Sequence, residues 1–102
     1  MIIYTAIGHV ICAMEGTSMG WIGIVSIDGV FISDGAVASK EKAKRKAERL
    51  LMRLLTLKPD KHGLIRFRAC KVNWTDGSMS DERPYCINLS NVAIVTTAVR
   101  QQ

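Results

Sequence analysis

The chain has 102 residues, of which 48% are hydrophobic and 23% charged, and it carries a formal net charge of +5. That length suits a single domain over residues 1 to 102, and the composition excludes a disordered or membrane-spanning chain. The longest apolar runs fall far short of the ~20 residues needed to cross a bilayer, so no membrane partner is expected.

Cys12, Cys70 and Cys86 are odd in number and have no CxxC spacing, which points to buried thiols in a reduced, cytoplasmic setting. Residues 1 to 14 lack the charged start and cleavage site of a secretory signal, so Met1 to Tyr4 read as the beginning of a first strand. Charge is divided along the chain. Twelve of the fourteen Lys and Arg residues fall between Lys40 and Lys71, against three acids, whereas the remainder holds two basic and six acidic residues. This asymmetry fits either a phosphate-binding surface or a solvated helix face that keeps the protein soluble.

Taken in order, Ile2 to Met14 is rich in Ile and Val and predicts a strand, with an interruption near Gly8-His9. His9 has no acid or cysteine nearby in sequence and reads as structural. Glu15 to Gly20 reads as a turn, since it lacks the Lys-Ser/Thr ending of a phosphate loop. Trp21 to Ile27 and Val30 to Ser33 flank Asp28-Gly29, the pair that a type I′ hairpin turn requires. Ile22 and Ile24 alternate with Gly23, Val25 and Ile27, so this strand is apolar on both sides. One side calls for the helix and the other for a second sheet, a partner subunit or a ligand.

Asp34-Gly35 turns the chain, and Ser39 stands as the N-cap of a helix running to Leu57. Ala43, Ala47, Leu50, Leu54 and Leu57 recur every three or four residues as one apolar stripe, widened by Leu51 and Leu55. Lys42, Lys46, Arg49 and Arg53 follow the same spacing elsewhere on the helix, while Lys40, Lys44 and Arg45 crowd its first turns. Cations there oppose the helix dipole and repel one another, at a few tenths of a kcal/mol each unless an anion sits among them. Something negative is therefore the expected partner.

Residues 25 to 51 resemble the C-terminal half of a double-stranded-RNA-binding domain, in which two strands lead into a Gly-x-x-x-Ser-Lys-Lys-x-Ala-Lys helix start. Gly35, Ser39, Lys40, Ala43, Lys44 and Ala47 match that pattern, and Glu41 departs from its second lysine. The resemblance implies that Lys40 and Lys44 touch phosphates across a groove. It covers about a quarter of the chain and lacks the family's first helix. The strand-strand-strand-helix order is also similar to that of small partial-RNase-H-like antitoxins, without their proline-containing strand motif.

Pro59 ends the helix, and residues 60 to 63 form a turn in which His62 faces solvent. Leu64 to Trp74 begins with Ile65, Phe67 and Ala69 apolar against Arg66 and Arg68. The apolar phase then shifts to Cys70, Val72 and Trp74, which predicts a bulge near Ala69-Cys70 or a strand changing layers. Thr75 to Arg83 reads as a polar loop able to close over a ligand. Tyr85 to Leu89 and Val92 to Val99 read as strands separated by Ser90-Asn91, and Arg100 to Gln102 as a tail.

Two isolated histidines and three scattered cysteines offer no metal-ligand spacing, and no acidic pair is placed for acid-base work. A nucleophilic pair would need Cys70 or Cys86 to meet His9 or His62 in space. The expected protein is therefore a non-enzymatic binder without a cofactor. Its fold is α+β, an antiparallel sheet in β-β-β-α order with one main amphipathic helix and an additional C-terminal β-hairpin, assembled as a homodimer or larger oligomer.

The leading expectation is recognition of a phosphate-bearing ligand, most simply structured RNA or DNA, by Lys40, Lys42, Lys44 and Arg45, with Arg66 and Arg68 as further contacts. A second is a small-molecule sequestering protein that holds a nucleotide-like signal. Trp74, Arg83 and Tyr85, helped by Arg66 and Arg68, would stack a base and pair a phosphate, although Trp74 equally suits a core position. A third is an antitoxin or inhibitor module with a protein partner.

Overall fold

The computed structural model describes residues 2 to 5, as backbone, and residues 20 to 101. The continuation of the first strand to Met14, His9, Cys12 and most of the turn from Glu15 to Gly20 lie outside the described residues. The strands are β1 (Ile2–Thr5), β2 (Trp21–Ile27), β3 (Val30–Ser33), β4 (Ala36–Val37), β5 (Ile65–Val72), β6 (Met79–Ile87) and β7 (Ile94–Gln101). A single long helix, α1 (Lys40–Thr56), separates β4 from β5, and a short 3-10 turn spans Leu89–Asn91. The strands form one sheet in the order β1-β7-β2-β3-β5-β6, with β4 pairing on β2 beyond the end of β3. All pairings are antiparallel except β1 with β7. The α+β architecture with strands leading into one helix, and a hairpin after it, is that expected from the sequence.

Local chemistry explains the main boundaries. Asp28 and Gly29 take φ of 48° and 85°, the left-handed pair that matches the twist of a two-residue hairpin, and they set Ile27 opposite Val30. Ser39 is extended, and its hydroxyl accepts the Lys42 N–H at 3.2 Å, while its carbonyl receives the Ala43 N–H at 3.0 Å. At the far end Leu57 leaves the helix and Pro59 prevents its return.

The helix crosses the centre of the sheet, over β2 and β7. Leu50, Leu51 and Leu54 pack against Val25, Ile27, Ile32, Ile65, Phe67 and Val95. Each such Leu contributes roughly 1.5 to 3 kcal/mol by leaving water. Ala43 and Ala47 sit over Gly23, where the two backbones approach so closely that a Cβ on Gly23 would lie 2.9 Å from the Ala47 nitrogen. The small residues of the stripe thus mark where helix and strand touch.

The other side of β2 is also closed. Ile22 and Ile24 are fully buried, packed with Val72 and lined by Phe31, Trp74 and Met79. These isoleucines need no second subunit to cover them.

The apolar phase shift in β5 has a clear origin. Ile65, Phe67 and Ala69 join the helix-side core, whereas Val72 belongs to the cluster on the opposite side. Pairing moves from Cys70 with Glu82 to Val72 with Met79, so three steps on β6 oppose two on β5. The irregularity therefore falls just beyond the expected position, and its extra residue lies in β6. Across it, the Lys71 N–H donates to the Ser80 hydroxyl at 2.9 Å.

Three readings need correction. Residues 79 to 83 are not loop but the first half of β6, because residues 73 to 78 close a tight turn: the Asn73 N–H meets the Ser78 carbonyl at 2.8 Å, and Gly77 takes φ of 74°. β6 is an outer strand with no fully buried side chain, so it shows little alternation, and Pro84 is tolerated there. Arg100 and Gln101 are not a tail but the end of β7, with Arg100 only 5% exposed. Among the described cysteines, Cys70 is half-buried and Cys86 exposed, rather than both being buried. Among the described residues, no helix is long and apolar enough to cross a membrane.

Candidate anion-binding surfaces

The first surface is the start of α1. The helix seats its alanines on Gly23, so the residues between them must point outward. Lys40 and Lys44, four apart, share one flank and are half-buried. Lys42 lies on the other flank, with Lys46, Arg49 and Arg53, and Arg45 crowns the helix between the two. The four candidate cations therefore ring the first turns rather than forming one flat patch.

The protein's own acids neutralise a different set. Arg53 reaches Asp34 at 3.6 Å and also donates to the Arg68 carbonyl at 3.2 Å. Lys46 donates to the Asp34 carbonyl at 3.1 Å. Arg66 pairs with Asp60 and Arg68 with Glu82, each at 3.6 Å, and Arg68 also donates to the Glu82 carbonyl at 3.2 Å. These pairs are exposed and individually weak, yet they occupy the guanidinium groups. Among the described residues, no carboxylate lies within 4 Å of the Lys40, Lys42, Lys44 or Arg45 head groups.

The Asp60 partner of Arg66 is itself fixed by the turn after α1. Its carboxylate accepts the N–H groups of His62 at 2.8 Å and Leu64 at 3.0 Å. These bonds, the Leu64 one foremost, and the nearby Arg66 charge hold the carboxyl below its ordinary value. His62 is exposed, as expected.

The second surface is an open cleft of about 630 Å³ beside the β5–β6 turn. Phe31 and Trp74 form its aromatic wall, with ring centroids 5.5 Å apart and planes inclined by 30°. Lys71 and Arg83 contribute the charges, and Met79 and Ser78 also line it. Register explains the meeting of distant residues: Ile32 pairs with Lys71, which brings Phe31 alongside the end of β5.

Arg100 holds this wall from behind. Its Nε donates to the Trp74 carbonyl at 2.7 Å, and its Nη2 to the Thr75 carbonyl at 3.0 Å, while Nη1 donates to the Gln101 carbonyl at 2.6 Å. Asp76 accepts the Ser78 N–H at 2.8 Å, and its carboxyl is held below its ordinary value by Ser78 above all, with the Arg100 charge adding. Gly77 has no room for a side chain, because a Cβ there would collide with the Arg100 guanidinium.

The sequence set of Trp74, Arg83, Tyr85, Arg66 and Arg68 is divided between two places. Trp74 and Arg83 share the cleft. Tyr85 stacks on Phe67, with centroids 5.5 Å apart, in a separate depression with Arg66 and Arg68. Phe31, Lys71 and Met79 were not singled out by the sequence: Lys71 and Met79 lie within five residues of Trp74, and only Phe31 needs the pairing of β3 with β5 to reach it. Among the described residues, no group of three His, Cys, Asp or Glu side chains is placed to hold a metal ion.

Comparison of the chain with protein-family models, with curated proteins and with solved structures finds no match.

Proposed function

We propose that the chain is a non-catalytic binding module for a phosphate-bearing ligand, most simply structured RNA or DNA, with the first turns of α1 as its contact surface. The observation that carries this reading is the contrast between two sets of cations. Arg53, Arg66 and Arg68 are met by Asp34, Asp60 and Glu82, whereas Lys40, Lys42, Lys44 and Arg45 have no such carboxylate among the described residues. Four like charges at a positive helix end are unfavourable for folding alone, and an external anion reverses the sign of that interaction. Glu41 is the only acid in the first turn.

Lys40 and Lys44 lie one helical turn apart on a single flank, a spacing suited to neighbouring backbone phosphates. Lys42 and Arg45 extend the field around the helix and serve orientation more than sequence readout.

The test is a titration of labelled duplex RNA, and in parallel duplex DNA, at increasing salt. The two phosphate contacts of Lys40 and Lys44 give a log-log slope of about −2, made steeper by any further contact. A flat slope at measurable affinity removes this reading.

A further inference from the structure

We propose that the cleft walled by Phe31 and Trp74 is a binding site for a planar aromatic ring carrying an anionic group, the chemistry of a nucleobase joined to a phosphate. The site is independent of the α1 surface, for no α1 residue lines it.

Three observations converge on that class of ligand. The residues that line the cleft include two basic ones, Lys71 and Arg83, and among the described residues no acidic one. Neither cation has a carboxylate within 4 Å among the described residues. Lys71 supplies a point charge and Arg83 a planar fork, a combination suited to phosphate oxygens.

The second observation is the stacked pair of Phe31 and Trp74, an apolar wall within the same cleft. Aromatic walls accept any nucleobase by its face, with little regard to sequence. The volume of about 630 Å³ falls within the range of sites for small organic ligands.

The third is rigidity. Phe31, Trp74 and Met79 rest on the buried Ile22, Ile24 and Val72, and Arg100 ties the Trp74 and Thr75 carbonyls to β7. A wall already fixed before binding loses little side-chain freedom when a ring settles on it.

The same chemistry is available from a free mononucleotide or from an unpaired base in a single strand. The test is a titration of the intact chain with adenosine 5′-monophosphate, followed by tryptophan fluorescence, beside inorganic phosphate as a control. Saturable binding is expected, weakened about tenfold or more by Lys71→Glu with Arg83→Glu and unchanged by Lys40→Glu with Lys44→Glu. Trp74→Leu should also abolish it; since that change touches packed residues, the exposed Lys71 and Arg83 carry the decision if it unfolds.

Displacement of the mononucleotide by a short oligouridylate identifies a strand-borne base as the occupant, and failure of displacement identifies the free nucleotide. Either result supports the cleft. The proposal is overturned if adenosine 5′-monophosphate does not saturate, if inorganic phosphate binds equally well, or if binding follows Lys40 and Lys44 rather than Lys71 and Arg83. Because the α1 reading is tested with duplexes and the cleft with a mononucleotide, and each depends on its own pair of cations, the two succeed or fail separately.

Discussion

The carboxylate of Asp28, at the tip of the β2–β3 hairpin, accepts the backbone N–H of Ile94 at 2.8 Å, where β7 begins. It also accepts the Ala93 N–H, and the Asp28 N–H donates back to the Ile94 carbonyl at 3.0 Å. One turn residue thus closes a hairpin and anchors a strand more than sixty positions away. Asp28→Asn keeps an acceptor and tolerates positive φ, so it should change stability little. Asp28→Ala leaves two exposed N–H groups to water and strains the turn, at about 1 kcal/mol. Urea denaturation of the two variants measures the difference, and equal midpoints would contradict this account.

Gly23 sets the distance between α1 and the sheet. Gly23→Ala must push the helix away from Ala43 and Ala47, with a cost of about 1 to 3 kcal/mol or more. Thermal unfolding should show a clear fall in midpoint. An unchanged midpoint would mean that the helix sits farther from β2 than described.

Arg100 is buried and donates to the carbonyl groups of Trp74, Thr75 and Gln101. Arg100→Met leaves polar atoms without their donor and should destabilise by about 1 to 3 kcal/mol. Arg100→Lys retains the charge but not the fork, so it should rescue only part of the loss. The near-ultraviolet circular dichroism of Trp74 should change in both variants; a spectrum matching the parent would show that the guanidinium does not hold the tryptophan turn.

Asp60 gives the turn after α1 a pH dependence of defined sign. Its carboxyl is depressed below 3.8, chiefly by the N–H of Leu64, so the ionised form favours the folded turn. That support is complete above the unfolded value and fades as pH falls through the lower folded one. The stability difference between the parent and Asp60→Asn should hold steady near neutrality and shrink below about pH 4. Urea titrations at neutral and acid pH decide this, and a difference that grows on acidification has the wrong sign.

Charge reversal separates the two sets of cations. Lys40→Glu with Lys44→Glu should weaken duplex binding at least about tenfold and make the salt slope shallower by about two. Arg66→Glu with Arg68→Glu should do less, since Asp60 and Glu82 already engage those groups. Equal losses in filter-binding or anisotropy assays would remove the distinction between them.

Much of the fold is legible because its signals are local. Asp28-Gly29 forces its turn, Ser39 caps the helix it precedes, and Ile65, Phe67 and Ala69 alternate because one side of β5 is covered. β6 escaped such a reading because an outer strand leaves its side chains largely in solvent, so residues 79 to 83 look like loop. Arg100 escaped it because a buried guanidinium satisfied by carbonyls has no signature in one dimension. The basic helix start was evident from charge alone. The cleft was only partly visible: Lys71, Trp74 and Arg83 are close in sequence, whereas Phe31 joins them through the pairing of β3 with β5.

The position of β7 bears on how the molecule comes into being. Two earlier segments, β1 and β2, flank a gap that only residues 94 to 101 can fill. A nascent chain halted before that point would carry a hairpin and a helix over an unfinished layer, with the backbone N–H and C=O groups along one edge of β2 unpaired. Completion must await the emergence of those residues during synthesis, and the long sequence separation of the pairings makes it a slow step.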